Sequence, residues 1–102
     1  MLPKSHRLPI QGTRERRGRR LSSPYGTLKV LGAEKEYSRF GIVLGRAVAK
    51  RAVDRNRLRR IFFVVARAIS PSLPVADYLF IPNPPLATVP RRDLQKIFKN
   101  IF

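Results

Sequence analysis

The stretch Val53-Asp54-Arg55-Asn56-Arg57-Leu58-Arg59-Arg60-Ile61-Phe62-Phe63-Val64-Val65-Ala66-Arg67-Ala68-Ile69 carries two patterns at once. Leu58, Ile61, Phe62, Val65 and Ile69 recur at spacings of three and four, which predicts a helix with one apolar stripe. At about 100° per residue, Asn56, Arg59, Arg60, Phe63 and Arg67 fall away from that stripe, and Arg55 and Arg57 flank the start. One face is therefore core-forming. The other is a ladder of guanidinium groups with an amide and an aromatic ring inside it. Asp54 near the beginning suits the positive end of the helix dipole. Ser70-Pro71-Ser72-Leu73-Pro74 ends the helix.

Outward from this helix the chain alternates in type. Thr27 to Leu31 reads as a strand, Gly32 to Ser38 as a turn, and Arg39 to Leu44 as a second strand and hairpin partner of the first. Phe40, Ile42 and Leu44 share one face of that strand. Gly41 and Gly45 lie on the other, where the missing side chains let another group come close. A third strand runs from Ala76 to Ile81 and is closed by Pro82-Asn83-Pro84-Pro85. A last helix begins near Thr88 to Pro90, with Leu94, Ile97, Phe98, Ile101 and Phe102 as its apolar stripe. The order strand, strand, helix, strand, helix predicts a small two-layer α/β sandwich with helices packed on one sheet. Residues 1–24, interrupted by Pro9, Gly12 and Gly18, read as an irregular or extended basic segment, with Leu8-Pro9-Ile10 as a patch able to dock. Residues 25–102 read as the single folded domain.

The chain has 102 residues, 22 Lys+Arg against 6 Asp+Glu, and a formal charge of +16. One core is affordable at this length; a second lobe with a deep cleft is not. An apolar fraction of 43% with 6 Phe argues against disorder. The uncharged run Ala68 to Ala76 is broken by prolines and too short to span a bilayer, and no apolar run follows the first charges, so neither a membrane anchor nor a signal peptide is expected. With 0 Cys, disulfides, thiolate metal sites and Cys nucleophiles are excluded, which fits a cytoplasmic location.

The charge is uneven. Lys4, Arg7, Arg14, Arg16, Arg17, Arg19 and Arg20 face only Glu15 in the front segment. Arg39, Arg46, Lys50, Arg51, Arg55, Arg57, Arg59, Arg60 and Arg67 face only Asp54 in the middle. No Lys or Arg occurs between Ala68 and Pro90; the charge resumes at Arg91, Arg92, Lys96 and Lys99. A cluster this rich in Arg suits bidentate phosphate contacts, so a nucleic acid is the expected partner. For Asn56, contact with a base or with a loop carbonyl are equally open readings. For Phe63, a stacking face competes with packing under a neighbouring loop. Chemistry by the protein itself is poorly supplied. The acids Glu15, Glu34, Glu36, Asp54, Asp77 and Asp93 are scattered apart from the Glu34/Glu36 pair, and His6 is the only histidine. No catalytic and no metal-binding residue is assigned.

Arg55-Asn56-Arg57-Leu58-Arg59-Arg60 resembles the Arg-Asn-Arg motif of the bacterial ribonuclease P protein component. The flanks add to the likeness: Arg39 to Arg46 looks like the strand before the motif, Lys50-Arg51-Ala52-Val53 like its lead-in, Leu2 to Leu8 like the family's start, and Asp77 to Ile81 like its late strand. The resemblance implies the small basic subunit of a ribonucleoprotein that removes the 5′ leader of precursor tRNA. In such a particle the RNA subunit holds the catalytic magnesium ions, and the protein alone binds none. Its partners would be the catalytic RNA and precursor tRNA, with no membrane and no obligate protein partner. The family fold has a left-handed βαβ crossover, against the usual rule.

Carried over position by position, the resemblance implies RNA contacts at Arg46, Arg55, Asn56, Arg57, Arg59 and Arg60; the charge of the link before the helix adds Lys50 and Arg51, and the polar helix face adds Arg67. Arg59 stands for a customary Lys, and Ala47 removes one of two Lys positions after the strand. Phe63 stands where Arg is frequent, and Ala66 where an aromatic is common, a volume that Phe62 can fill. The family's N-terminal helix carries two Phe that line the leader cleft; residues 10–18 here have no aromatic. Tyr25, Phe40 and Phe63 are the candidates left for that cleft. A ribosomal-type RNA binder is not separable by composition. A helix-turn-helix DNA reader is disfavoured, because strands rather than a helix precede the basic helix.

Overall fold

The computed structural model describes residues 2–13 and 15–102; the side chains at 85, 87 and 91 fall outside that description, as does Arg14 of the front basic run. The elements are β1 (Gly18–Ser23), β2 (Gly26–Leu31), β3 (Arg39–Ile42), α1 (Ala52–Ile69), β4 (Asp77–Pro82) and α2 (Arg91–Ile101), with short 3-10 turns at Lys4–His6, Ser70–Ser72 and Pro84–Thr88.

The apolar stripe forms α1 as expected: Leu58, Ile61, Phe62 and Val65 are buried, and Ile69 is half-buried. The buried face is wider than the stripe, because Phe63 and Ala66 are covered too. Helix α2 lies beside α1 on the same side of the sheet and buries Leu94 and Phe98. Phe62 sits at the centre. Its ring meets Phe98 edge-on at 5.4 Å and stacks over Phe80 at 6.2 Å, both within the range of favourable aromatic pairs.

The sheet order is β1-β2-β4-β3. The hairpin expected between Thr27–Leu31 and Arg39–Leu44 does not form. β4 inserts between them, antiparallel to β2 and parallel to β3, and α1 is the connection that the parallel β3/β4 pair requires. The seven-residue link 32–38 is no tight turn, and neighbours in sequence are not neighbours in the sheet here. The actual hairpin joins β1 to β2 through Pro24 and Tyr25. Gly26 closes it at φ +149°, and a Cβ there would stand 2.4 Å from the Ile81 carbonyl oxygen, so a side chain is excluded on two counts.

The front segment is part of this fold, which moves the expected boundary at 24/25. Residues 18–23 form the edge strand β1. Its Gly-Arg-Arg-Leu-Ser-Ser sequence is almost wholly exposed and so shows no apolar alternation. Leu8 docks on the sheet face opposite the helices. Its amide donates to the Phe40 carbonyl at 2.8 Å, and its side chain is buried with Leu31 and Leu79. Gly41 makes room for this crossing: a Cβ there would come within 3.1 Å of Leu8 and Ile10. The close approach expected at Gly41 is therefore made by the chain's own front segment, which adds a partial third layer to the two-layer plan.

One buried ionic cluster ties these parts together. The Asp77 carboxylate, fully buried on β4, accepts from Arg39 Nε at 3.0 Å, from Arg39 Nη2 at 2.7 Å and from Arg16 Nη1 at 2.9 Å. Arg39 Nη2 also donates to Glu34 at 2.8 Å, and Arg16 Nη2 donates to the Gly32 carbonyl at 2.8 Å. Burial by itself raises the Asp77 pKa; the hydrogen bonds from Arg39 and then Arg16 outweigh it and leave it below the ordinary carboxylate value. A depressed folded-state pKa means stability that is fully present above the unfolded value, about 3.9, and is lost as pH falls through the folded value. Asp77→Asn should cost about 3–5 kcal/mol at neutral pH, since it removes the buried negative charge that both guanidinium groups bind. It should also flatten the acid limb of the stability profile below about pH 4. Urea unfolding of both proteins across that range measures both effects; an unchanged acid limb would remove Asp77 as its source.

Candidate RNA interface

Three of the predicted basic side chains meet at the start of α1. Arg46 comes from the turn after β3, Lys50 from the link into the helix, and Arg57 from the second turn of α1; all three are exposed. They rim a cavity of about 400 Å³ whose floor is apolar, made by Val48, Leu58, Val89 and Leu94. Arg60 stands farther along beside Val64 and Gln95, and Arg67 lies exposed near the far end of the helix, about 15 Å beyond Arg57 at 1.5 Å per residue.

The Arg-Asn-Arg motif divides by role. Arg55 turns back under the link: its Nη1 donates to the Ala49 carbonyl at 2.9 Å and to the Lys50 carbonyl at 2.8 Å. It thereby holds in place the segment that carries Arg46 and Lys50. Asn56 Oδ1 accepts from Arg59 Nη1 at 2.7 Å, which orients the Arg59 guanidinium one turn along the exposed face. Arg57 alone of the three reaches the cavity rim. Arg51, the residue before the helix, pairs with Asp54 at 2.9 Å and 3.3 Å. That hydrogen bond raises the Arg51 pKa and lowers that of Asp54. Both groups are largely solvated, so the pair orients Arg51 more than it stabilises the fold.

The aromatic candidates fare differently. Phe40 is fully buried and stacks on Tyr78 at 5.2 Å, so it offers no face to a ligand. Phe63 is also buried: Leu2 belongs to the same apolar cluster, and the Arg7 guanidinium lies 5.2 Å from the ring centroid. Of the two readings open for Phe63, packing under a neighbouring segment is the one the structure takes, and the front segment supplies the cover. Tyr25 stays half-buried. It lines a second cavity, of about 550 Å³, with Asp93, Lys96 and Asn100 of α2 and with Val89, which also floors the first.

Another basic site was missed by treating the front segment as separate. Arg16, Arg17, Arg20 and Lys29 frame a cavity of about 410 Å³. The Lys29 side chain is buried there, and burial followed by the charges of Arg20 and Arg16 lowers its pKa. The charge run Arg16 to Arg20 was the signal in the sequence; the β1–β2 pairing that sets Arg20 opposite Lys29 was not. Among the described residues, no group of three or more His, Cys, Asp or Glu side chains is placed to hold a metal ion, and Glu34 and Asp77 already accept from Arg39. No helix among the described residues is long and apolar enough to cross a membrane.

Fold and site together define a class: a small basic α/β protein that presents a guanidinium-rich helix face beside a preformed cavity. The chain belongs to the ribonuclease P protein family, whose model, described as Ribonuclease P, matches residues 5–102. A Synechococcus ribonuclease P protein component is 38% identical over 97 residues, spanning 86% of this chain and 72% of that protein. The ribonuclease P protein of Thermotoga maritima, solved with 1-(4-fluorophenyl)-2-thiourea, has a TM-score of 0.72 at 26% identity and covers 94% of this chain and 100% of its own. That of Staphylococcus aureus reaches a TM-score of 0.86 at 17% identity, covering 96% of this chain and 93% of its own, a likeness of fold.

The division of the motif is testable in the free protein. Arg55→Ala should cost about 1.5–3 kcal/mol, the range for hydrogen bonds to a charged group, and should speed amide exchange in residues 46–51. Arg57→Ala, which breaks no intramolecular bond among those described, should change stability by less than about 0.5 kcal/mol. Leu58→Ala should cost about 2–5 kcal/mol as a core truncation. Thermal unfolding and hydrogen exchange on the three variants check this; equal losses for Arg55→Ala and Arg57→Ala would refute the division.

Proposed function

We propose that the chain is the protein subunit of ribonuclease P. It binds the catalytic RNA and the 5′ leader of precursor tRNA and assists RNA-catalysed, endonucleolytic removal of that leader in the cytoplasm. Family membership supports the association with tRNA processing. The observation that carries the RNA-binding part is the convergence of Arg46, Lys50 and Arg57 at the start of α1, continued along the helix by Arg59, Arg60 and Arg67. Guanidinium groups on a rigid helix bind phosphates in a fixed register. On this reading Arg55 and Asn56 serve the same surface from within, Arg51 flanks it, and Tyr25 is the aromatic left for the leader. The β3–α1–β4 connection takes the left-handed course that the family likeness implies.

Cleavage on this reading belongs to the RNA and its magnesium ions. The protein contributes positive charge that offsets phosphate repulsion as the substrate docks. It assembles with the catalytic RNA and precursor tRNA, without a membrane and without an obligate protein partner.

Neutralising about 5–8 phosphates should make log affinity for the RNA fall with log salt at a slope of about −4 to −7. A filter-binding titration checks this, and a slope near zero would rule out phosphate-dominated binding. Protein rigorously freed of RNA should leave precursor tRNA intact in magnesium, and adding ribonuclease P RNA should restore leader removal. Cleavage by the protein alone, abolished by mutating one of its acids, would overturn the assignment of the chemistry to RNA.

A further inference from the structure

The cavity at the start of α1 has two kinds of wall. Its floor is apolar: Val48, Leu58 and Leu94 are each less than a tenth exposed. Its rim is cationic, with Arg46, Lys50 and Arg57. Asp54 also lines it, but the Arg51 guanidinium holds that carboxylate through two hydrogen bonds, so the rim stays positive. The volume, about 400 Å³, falls in the range of small-ligand sites. The cavity is preformed, because Arg55 fixes the link bearing Ala49 and Lys50 through their carbonyls.

A phosphate-only contact surface has no use for an apolar floor. A flat apolar body joined to an anion fits both walls, and in a nucleic acid that combination is one nucleotide lifted out of its stack. We infer that this cavity takes a single unstacked nucleotide of the RNA partner, with its base over Val48, Leu58 and Leu94 and its phosphate between Arg46, Lys50 and Arg57. The inference rests on the RNA-binding reading and sharpens it: the start of α1 reads a local RNA shape, a nucleotide free of its neighbours, as well as a run of phosphates.

The floor residues supply their own reporters. In the full chain with labelled methyl groups, titration with AMP should shift the Val48, Leu58 and Leu94 methyl signals saturably. Ribose 5-phosphate, which lacks the base, should act at least roughly tenfold more weakly, the order expected for stacking one base. Ala47 is exposed at the mouth, so Ala47→Trp plugs the cavity without touching the core. That variant should lose the AMP response. It should bind ribonuclease P RNA about five- to tenfold more weakly, with a salt slope reduced by no more than about 1, since at most one phosphate contact goes with the excluded nucleotide. Equal responses to AMP and ribose 5-phosphate would reduce the site to a phosphate contact and overturn the inference. So would full RNA affinity in Ala47→Trp, while leaving the RNA-binding reading intact. If the unaltered chain shows no salt-dependent RNA binding, both fail, whatever the AMP titration gives.

Discussion

A carboxylate with no exposure to solvent has to be met by cations, and Asp77 is met by two from distant parts of the chain. Arg39 reaches it from β3 and Arg16 from the segment before β1. Leu31 and Arg39 flank Asp77 in the registers of β2 and β4 and of β3 and β4, so the carboxylate sits in the row where three strands come level. A one-residue slip of β4 would turn the carboxylate to the apolar helix side of the sheet, toward Phe62 and Phe98 and away from Arg39 and Arg16. The cluster thus specifies the register, the strand order and the docking of the front segment through one set of hydrogen bonds. Whether it also adds net stability over an apolar replacement is a separate matter, since desolvating the ions offsets much of their attraction.

That register has a consequence on the other side of the molecule. With β4 between β2 and β3, the chain must leave β3, cross over the sheet and return parallel, and α1 makes that crossing. The helix is held to the sheet by Phe62, Val65 and Ala66, so its start and the link before it are fixed in place. Arg55 completes the arrangement by binding two carbonyls of that link. The cationic rim therefore rests on rigid parts, as groups that must meet phosphates at set spacing require.

Much of the fold was legible in the residues. The stripe from Leu58 to Ile69 marked α1, and the runs at 27–31, 39–44 and 76–81 marked three strands to within a residue or two. The proline cluster marked the gap before α2. What escaped had no local signal. β1 is polar along its whole length because it is an exposed edge, and the partner of β2 lies 46 or more residues onward in the register that sets Asp77 beside Leu31. The site was legible as a set of residue types and not as a set of roles. Arg46, Lys50 and Arg57 meet at the start of α1, whereas Arg55 turns back to the link before it, and Phe40 and Phe63 are closed off by Tyr78, Leu2 and Arg7.

The amino-acid sequence by itself determined that this is a small α/β protein with a strongly basic helix suited to a polyanion. Periodicity and charge are properties of neighbours along the chain, and neighbours can be read directly. Only the tertiary structure decided which guanidinium groups face outward and which are spent on the protein's own carbonyls and carboxylates. An Arg in the sequence is a donor without an address. Its partner, whether the Ala49 carbonyl, Asp77 or a phosphate, is chosen by what the fold brings within about 3 Å of it.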